Sequence, residues 1–181
     1  MKQASFKKLL FVTGTRADFG KLQPLASEAY KNGFAVTFFV TGMHMIEKYG
    51  LTKNEVRTFK EFQTIEFLNQ RDGDPQDVIL SKTILGFSDY INEINPDLVV
   101  IHGDRIEALA CSIVCATNYI LSTHIEGGEV SGTIDELFRH CNSKLCCMHM
   151  VSSEKAKKRV IQLGELEKNI FVIGSPELDI H

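Results

Sequence analysis

The chain has 181 residues, enough for one domain with a buried core. Its net charge of -3 argues against a protein that binds nucleic acids or anionic membranes, because such proteins carry a basic excess. No apolar run approaches the roughly 20 residues of a membrane-spanning helix. The chain has five cysteines and no secretory signal. An odd number of cysteines in such a chain does not indicate a disulfide framework. We therefore expect a cytoplasmic protein.

Short apolar runs alternate with amphipathic, helix-length segments along the whole chain. The predicted strands are 9–13, 35–40, 61–67, 98–102, 120–125, 148–152 and 170–173. The predicted helices are 18–31, 77–94, 105–116, 134–146 and 154–163. The strands are continuous apolar runs, typical of a parallel sheet that is covered by helices on both faces. This pattern predicts an α/β fold with a doubly wound, Rossmann-like parallel sheet.

Residues 1–175 are interpreted as a single Rossmann-like domain. The last predicted strand is followed by a short polar segment, 174–179, that is typical of an interdomain connection. We therefore expect 176–181 to begin a connection to a second domain that this chain lacks.

The segment after the first predicted strand, 14–21, is a candidate phosphate site. It has neither the GxGxxG dinucleotide fingerprint nor the GKS or GKT of a P-loop, so redox and ATP-hydrolysing functions lose their main support. Arg16 and Lys21 at a helix N-terminus suit a phosphate or diphosphate. A capped turn with two solvated cations fits the same residues equally well. His44, after the second strand, could contact a ligand, although a lone histidine there is more often a surface residue.

Three acidic residues fall near the carboxyl ends of neighbouring predicted strands, where open parallel sheets bind ligands. They are Asp104, Glu126 and Asp135. Carboxylates that are brought together and partly desolvated acquire separate pKa values, as paired acid and base roles require. Arg139 follows Asp135 by one helical turn and can orient or neutralise it.

Each acid also has a purely structural interpretation. Asp104 could cap the following helix, and Thr133 with Glu136 forms a capping-box pattern. Asp135 could simply favour the helix dipole. Their joint placement beside Gly127-Gly128, which lets a ligand approach the backbone closely, favours a functional site.

Two short pairs, His102-x-Asp104 and His124-x-Glu126, allow a metal-dependent hydrolase as an alternative. Residues two apart in a strand point to the same face. Both histidines nevertheless lie inside apolar runs and can pack in the core. We predict no metal site.

Five stretches of the sequence resemble one known family. They are GTRADFGKLQPL, VTGMH, HGDRIEALA, HIEGGEVSGTIDELFRH and FVIGSPELDI. Together they are similar to the N-terminal half of hydrolysing UDP-N-acetylglucosamine 2-epimerases of sialic acid biosynthesis. Non-hydrolysing 2-epimerases typically carry HGDT and HVEAGLR at the corresponding places, so the hydrolysing branch matches better.

The resemblance implies a GT-B-type, two-domain enzyme with its active site between the domains and no cofactor. In that family UDP leaves from the sugar C1 while the C2 hydrogen is removed, which gives 2-acetamidoglucal. Water then adds with inversion at C2 and releases N-acetylmannosamine. The family's second domain supplies most uridine contacts and a catalytic histidine, so we expect this chain alone to be almost inactive.

The resemblance also implies roles for individual residues. The catalytic carboxylates are Asp104, Glu126 and Asp135, and their individual roles stay open. The substrate-binding residues are Arg16, Lys21, His44, Arg105, Gly127, Gly128 and Arg139. The implied partner is a UDP-sugar, with a homo-oligomer in the intact enzyme. Two alternatives are the same reaction on UDP-N,N'-diacetylbacillosamine, in the legionaminic acid pathway, and a non-catalytic nucleotide-sugar-binding module.

Overall fold

The computed structural model describes residues 7–176, so all of the expected connection except Pro176 lies outside the described residues. Within 7–176, seven parallel strands form one sheet in the order β3-β2-β1-β4-β5-β6-β7. The strands are β1 (Lys8–Thr13), β2 (Ala35–Val40), β3 (Gln63–Glu66), β4 (Leu98–His102), β5 (Ser122–Ile125), β6 (Met148–Val151) and β7 (Ile170–Val172). The predicted α/β fold with a doubly wound parallel sheet is confirmed.

Helices connect the strands and cover both faces of the sheet. The α-helices are α1 (Arg16–Lys31), α2 (Lys53–Val56), α3 (Gln76–Ile94), α4 (Ile106–Thr117), α5 (Ile134–Leu145) and α6 (Glu154–Gln162). Short 3-10 helices are Gly42–Met45, Glu47–Tyr49 and Glu167–Asn169. In the part of the chain that the structure describes, no helix is both long and apolar enough to cross a membrane.

Alternate residues of the central strands face opposite sides of the sheet, and both sides are buried. Leu10 and Phe39 pack on one side with Phe87 of α3. Phe11 and Phe38, which are register partners, pack on the other side. Because both faces need apolar side chains, the strands read as continuous apolar runs.

The segment between β2 and β3 was not assigned any structure from the sequence. It forms two of the 3-10 helices and α2, and it packs against α1 through aromatic contacts. The ring centroids of Phe59 and Phe19 are 5.5 Å apart, and those of Phe59 and Phe62 are 5.7 Å apart. Phe59 thus joins this segment to α1 and to the apolar cluster on that face of the sheet.

The predicted capping box at the start of α5 takes a different form. Thr133 is the N-cap residue but its side chain makes no capping hydrogen bond. Instead the Glu136 carboxylate accepts hydrogen bonds from the backbone N–H groups of Ser131 (2.7 Å) and Gly132 (2.6 Å). The carboxylate thus fixes the loop before the helix rather than the cap itself.

Candidate active site

An open cleft of about 440 Å³ lies at the carboxyl ends of β1, β4 and β5. The strand order reverses between β1 and β4, and ligands of doubly wound sheets bind at such a switch point. The carboxylates that line the cleft are Asp18, Asp104, Glu126 and Glu129. The basic groups that line it are Lys21, His102, Arg105 and Arg139.

His102, the last residue of β4, lies between two carboxylates in this cleft. Its Nδ1 is 3.0 Å from Asp18 Oδ1, and its Nε2 is 3.0 Å from Glu126 Oε2. Only 8% of the His102 side chain is exposed. Burial alone would lower the pKa of His102, but the hydrogen bonds to Asp18 and Glu126 outweigh it and raise the pKa to about 9. The ring is therefore an imidazolium at neutral pH.

The pKa values of the two carboxylates, Asp18 and Glu126, are shifted in the opposite direction, downward. Burial would raise the pKa of Asp18, but the hydrogen bond to His102 lowers it below its ordinary value. Burial would also raise the pKa of Glu126, but His102 and Lys21 lower it to about 2. Lys21 Nζ lies 2.9 Å and 2.8 Å from the two Glu126 carboxylate oxygens. Both acids are therefore ionised at neutral pH.

The backbone of Glu126 is held in an unusual conformation. Its φ angle is +63°, a left-handed value that non-glycine residues seldom adopt. Its N–H donates to Met150 O at 2.9 Å, so the turn is fixed by the neighbouring strand β6. Strained residues of this kind cluster at active sites, where the surrounding structure compensates for their cost.

Asp104 and Arg139 form an ion pair across the mouth of the cleft. Arg139 Nη2 donates to Asp104 Oδ2, and Arg139 Nη1 donates to Glu129 O at 3.1 Å. The Arg139 side chain is 12% exposed and the Asp104 side chain 25%. Asp104 does not cap α4, because the N-cap residue is Arg105 and makes no side-chain cap.

Arg105 lines the cleft and also points back to a buried acid. Its Nε lies 3.4 Å from Glu107 Oε2. Only 1% of Glu107 is exposed, and burial raises its pKa above the ordinary value. Glu107 packs beneath Gly14 and Gly42, at the ends of β1 and β2.

Five of the ten predicted site residues do not line this cleft: Arg16, His44, Gly127, Gly128 and Asp135. Asp135 is exposed on the first turn of α5, where Thr133 Oγ1 donates to it at 3.4 Å. Arg16 has a 74% exposed side chain that pairs with Glu55 at 3.0 Å. His44 is fully buried and is described separately below. The structure thus brings together Asp104, Glu126, Lys21, Arg105 and Arg139 in the cleft, but not the other five.

His44 lies between two hydroxyl groups rather than at a surface. Its Nε2 is 2.8 Å from Thr13 Oγ1, and its Nδ1 is 2.7 Å from Thr52 Oγ1. Burial lowers its pKa, which keeps the ring neutral. His44 therefore ties the segment after β2 to the end of β1.

Gly127 and Gly128 are required by packing within the protein. A Cβ at Gly127 would lie 2.7 Å from Ser143 Oγ on α5. A Cβ at Gly128, whose φ is +80°, would overlap the backbone carbonyl of Ala156 on α6. Arg159 Nη1 also donates to Gly128 O at 3.0 Å. These contacts explain both glycines without a ligand.

The metal alternative finds no geometric support. Across residues 7–176 no three His, Cys, Asp or Glu side chains are grouped as metal ligands. His124 is fully buried, with Nε2 2.8 Å from Gly103 O and Nδ1 3.0 Å from Ser143 Oγ. Burial, the largest effect, lowers the pKa of His124 to about 3. His124 therefore supports the turn after β4.

Sequence reasoning missed Asp18, Glu129 and the role of His102. Asp18 lies inside the candidate phosphate segment 14–21, where Arg16 and Lys21 carry the phosphate-binding pattern and an acidic residue does not. Its relation to His102 depends on β1 and β4 being neighbours in the sheet. The signal that could have found the pair is therefore the strand order of the doubly wound fold, in which these strands flank the switch point.

Comparison with known proteins identifies the family of this chain. A family model described as UDP-N-acetylglucosamine 2-epimerase matches residues 27–181. A UDP-N-acetylglucosamine 2-epimerase of Neisseria meningitidis serogroup B is 47% identical over 96% of this chain and 46% of the relative. A UDP-N,N'-diacetylbacillosamine 2-epimerase (hydrolyzing) of Legionella pneumophila is 37% identical over 96% of this chain and 47% of the relative. The chain thus spans about half the length of these curated relatives.

Solved structures show the same fold. The crystal structure of UDP-GlcNAc 2-epimerase from Neisseria meningitidis bound to UDP-GlcNAc matches with a TM-score of 0.84 at 23% identity, over 95% of this chain and 47% of that one. A lipopolysaccharide outer core galactosyltransferase, WaaB, matches with a TM-score of 0.63 at 13% identity, over 92% of this chain and 45% of that one. Because the family model matches most of its length, the chain belongs to the UDP-N-acetylglucosamine 2-epimerase family.

Proposed function

We propose that this chain is the N-terminal half of a hydrolysing UDP-N-acetylglucosamine 2-epimerase, which converts UDP-N-acetylglucosamine and water to N-acetylmannosamine and UDP. The observation that carries the proposal is the cleft at the switch point, where Asp104 and Glu126 lie among Lys21, Arg105 and Arg139. Carboxylates serve proton transfer and stabilise positive charge, and the cations serve a departing diphosphate.

The reaction is an elimination followed by a hydration. A base removes the proton at C2, the C1–O bond breaks, and UDP leaves with the bonding electrons. The C2–H electrons form the C1=C2 double bond of 2-acetamidoglucal. Water then supplies a proton to C2 on the opposite face and a hydroxyl to C1. No oxidant or reductant is required, which fits a cleft built from acids and bases.

The geometry favours different roles for Asp104 and Glu126. Glu126 is ionised and bound by both Lys21 and His102, and its low pKa of about 2 makes it a poor proton acceptor. It suits the stabilisation of positive charge that develops at C1. Asp104 is partly exposed and is the candidate base at C2. Arg139 would orient Asp104 until substrate binds.

Asp135 is proposed as the third carboxylate on the strength of the family resemblance. It lies on the exposed first turn of α5. Arg16 is likewise exposed and could exchange Glu55 for a diphosphate oxygen.

A second domain is proposed to complete the cleft. The chain spans about half of the relatives that it matches, with 46% of the Neisseria protein and 47% of the Legionella protein covered. We therefore propose a GT-B-type, two-domain enzyme that assembles as a homo-oligomer, in which the 181-residue chain alone is almost inactive.

The test is product analysis with a longer polypeptide that includes the proposed second domain. UDP-N-acetylglucosamine is incubated in D2O, and the products are separated by chromatography. We expect free N-acetylmannosamine with deuterium at C2, together with UDP. UDP-N-acetylmannosamine as the product would instead indicate a non-hydrolysing epimerase and overturn the proposal.

A parallel reaction in H2(18)O identifies the bond that breaks. Cleavage of C1–O leaves UDP unlabelled, whereas attack of water at phosphorus would label UDP and exclude the elimination. Asp104→Asn is expected to lower kcat by about 100-fold or more, in the range for loss of a general base. Asp89→Asn, on the exposed surface of α3, is the matched control and is expected to retain activity.

The second candidate substrate is UDP-N,N'-diacetylbacillosamine. The Legionella relative, which is 37% identical, carries that substrate in its name. Both nucleotide sugars are therefore assayed side by side. A kcat/KM that favours the diacetamido sugar by tenfold or more, about 1.4 kcal/mol, would reassign the substrate but keep the reaction. Tight binding of both sugars without UDP release from either would instead indicate a nucleotide-sugar-binding module.

A further inference from the structure

Four side chains that line the cleft form one hydrogen-bonded row: Asp18, His102, Glu126 and Lys21. Each nitrogen of the His102 ring is 3.0 Å from an oxygen of a different carboxylate. A neutral imidazole carries a single N–H and cannot donate in both directions. Either the ring is doubly protonated, or one of the two acids is protonated.

The other contacts of the two acids favour ionised carboxylates. Asp18 Oδ2 faces the backbone N–H of Gly14 at 3.3 Å, and both Glu126 oxygens face Lys21 Nζ. Protonation of Glu126 would remove the charge that pairs with Lys21, and protonation of Asp18 would weaken the acceptor that faces Gly14 N–H. Two ionised carboxylates on either side of one ring need a doubly protonated ring for charge balance.

We propose that Asp18 and His102 are positioning residues, in which Asp18 keeps the buried His102 ring doubly protonated and the ring fixes the ionised Glu126 carboxylate in the cleft. The inference rests on the proposed function for what Glu126 does there. Asp18 acts on Glu126 through His102, since the histidine ring stands between the two carboxylates.

The remaining titratable and charged groups around the row support this assignment. Those that interact electrostatically with its members are His44, Arg105, Glu107 and His124. His44 and His124 are neutral because burial lowers the pKa of each. Arg105 stabilises the Asp18 anion. The pKa of His102, about 9, and that of Glu126, about 2, leave the charged row intact across the neutral range.

The backbone explains why Glu126 needs such support. Its left-handed φ of +63° places the side chain on a strained turn. His102 and Lys21 each contact Glu126 Oε2, and Lys21 also contacts Oε1. Loss of the charge on the ring would leave Lys21 as the remaining cation of the row beside Glu126. The carboxylate would then rotate more freely and its pKa would rise.

The first test measures the protonation state of His102 directly and needs no substrate. The 181-residue protein is labelled with 15N-histidine, and ring nitrogen shifts are followed by NMR from pH 6 to pH 10. A His102→Gln sample identifies the His102 signals. We expect an imidazolium at pH 7 that titrates near pH 9. In Asp18→Asn the titration is expected to move to lower pH, and in the control Asp89→Asn it is expected to stay.

Two results would overturn the proposal. One is a neutral His102 ring at pH 7 in the unmodified protein, which requires no variant to fold. The other is a His102 titration that is the same in Asp18→Asn as in the unmodified protein. Circular dichroism of each variant confirms that the comparison is made between folded proteins.

The second test asks whether the row acts in turnover, with the longer polypeptide and UDP-N-acetylglucosamine. Asp18→Asn is expected to lower kcat by about tenfold or more, with KM changed by less than about threefold. The alkaline limb of the profile of kcat against pH should shift to lower pH in Asp18→Asn, as the NMR titration does. A purely structural defect would not produce this shift. An unshifted limb overturns the positioning role.

The two tests separate this inference from the proposed function. If no UDP-sugar is turned over but His102 titrates as expected and responds to Asp18→Asn, the proposed function fails and the charged row stands. If UDP-N-acetylglucosamine is hydrolysed but His102 is neutral at pH 7, the inference fails and the proposed function stands.

Discussion

Arg139 on α5 is paired with Asp104 at the end of β4, and not with Asp135 on its own helix. The one-turn spacing of Asp135 and Arg139 predicted that the arginine could orient that neighbouring carboxylate. The structure instead directs the guanidinium across the cleft, where it also binds Glu129 O at 3.1 Å. The pair thus links α5, the loop after β5 and the end of β4.

Replacement of Arg139 is expected to affect both stability and activity. In Arg139→Gln, Asp104 loses its cation and Glu129 O loses a donor, so the free energy of unfolding should fall by about 1–3 kcal/mol. The rate of UDP release in the proposed reaction should fall by tenfold or more, because Asp104 is no longer oriented. Arg139→Lys keeps the charge but cannot donate to Asp104 and Glu129 O with two separate guanidinium nitrogens. It should therefore restore little of the stability or the activity.

Urea denaturation and the UDP-release assay measure these two effects. Arg71→Gln, in the exposed loop before α3, is the matched control and should change neither quantity. Full activity in Arg139→Gln would contradict the role assigned to the pair with Asp104.

Lys21 is expected to matter mainly for substrate affinity. It contacts both oxygens of Glu126 and lines the cleft proposed to hold the diphosphate. Lys21→Gln should raise the Kd for UDP, measured by calorimetry with the longer polypeptide, by about tenfold, which is about 1.4 kcal/mol. Lys31→Gln on the same helix, with a 71% exposed side chain, should bind UDP as the unmodified protein does. Equal affinity in both variants would remove Lys21 from the diphosphate site.

Gly128 is expected to be intolerant of any side chain. Its φ of +80° and its contact with the Ala156 carbonyl predict that Gly128→Ala lowers the free energy of unfolding by about 2–4 kcal/mol. Gly20→Ala, inside α1 with open space around the added methyl group, should instead raise it by about 0.5–1 kcal/mol. Both values come from chemical denaturation. A Gly128→Ala protein as stable as Gly20→Ala would contradict the packing described for the loop.

The buried histidines His102 and His124 are expected to give the stability of the protein opposite dependences on pH. His102 has its pKa raised from 6.5 to about 9, so its stabilising contribution is complete below pH 6.5 and is lost as the pH rises toward 9. His124 has its pKa lowered from 6.5 to about 3, so its contribution is complete above pH 6.5 and is lost as the pH falls. Each effect has a maximal slope of about 1.4 kcal/mol per pH unit.

The two histidine variants serve as controls for each other. Between pH 7 and 8.5 the unmodified protein should lose stability and His102→Gln should lose less. Between pH 6.5 and 5 the slope of His124→Gln should be smaller by about one proton than that of the unmodified protein, while His102→Gln keeps the full slope. Denaturation curves at each pH measure the slopes, and identical slopes in all three proteins would show that neither histidine titrates as described.

Much of the fold was predictable from the sequence because the pattern of apolar residues sets the type of each element. The predicted strands 35–40 and 98–102 match β2 and β4 residue for residue. The predicted strand 120–125 was too long, because Tyr119 adopts φ +56° and Ile120 N–H still bonds to Cys115 O of α4. The elements within 42–59 are not predictable from the sequence, because two 3-10 turns and the four-residue helix α2 are too short to carry a periodic pattern.

The sequence by itself determined the order of strands and helices along the chain, the parallel type of the sheet and the position of polar segments at the ends of strands. These follow from local apolar periodicity and from the residue types that end helices and strands. Only the tertiary structure decided which charged groups meet. Asp18 and His102 are 84 residues apart, and Arg139 and Asp104 are 35 apart. Such partners are chosen by strand order and by burial, which together set distance and charge state, and neither is encoded in local spacing.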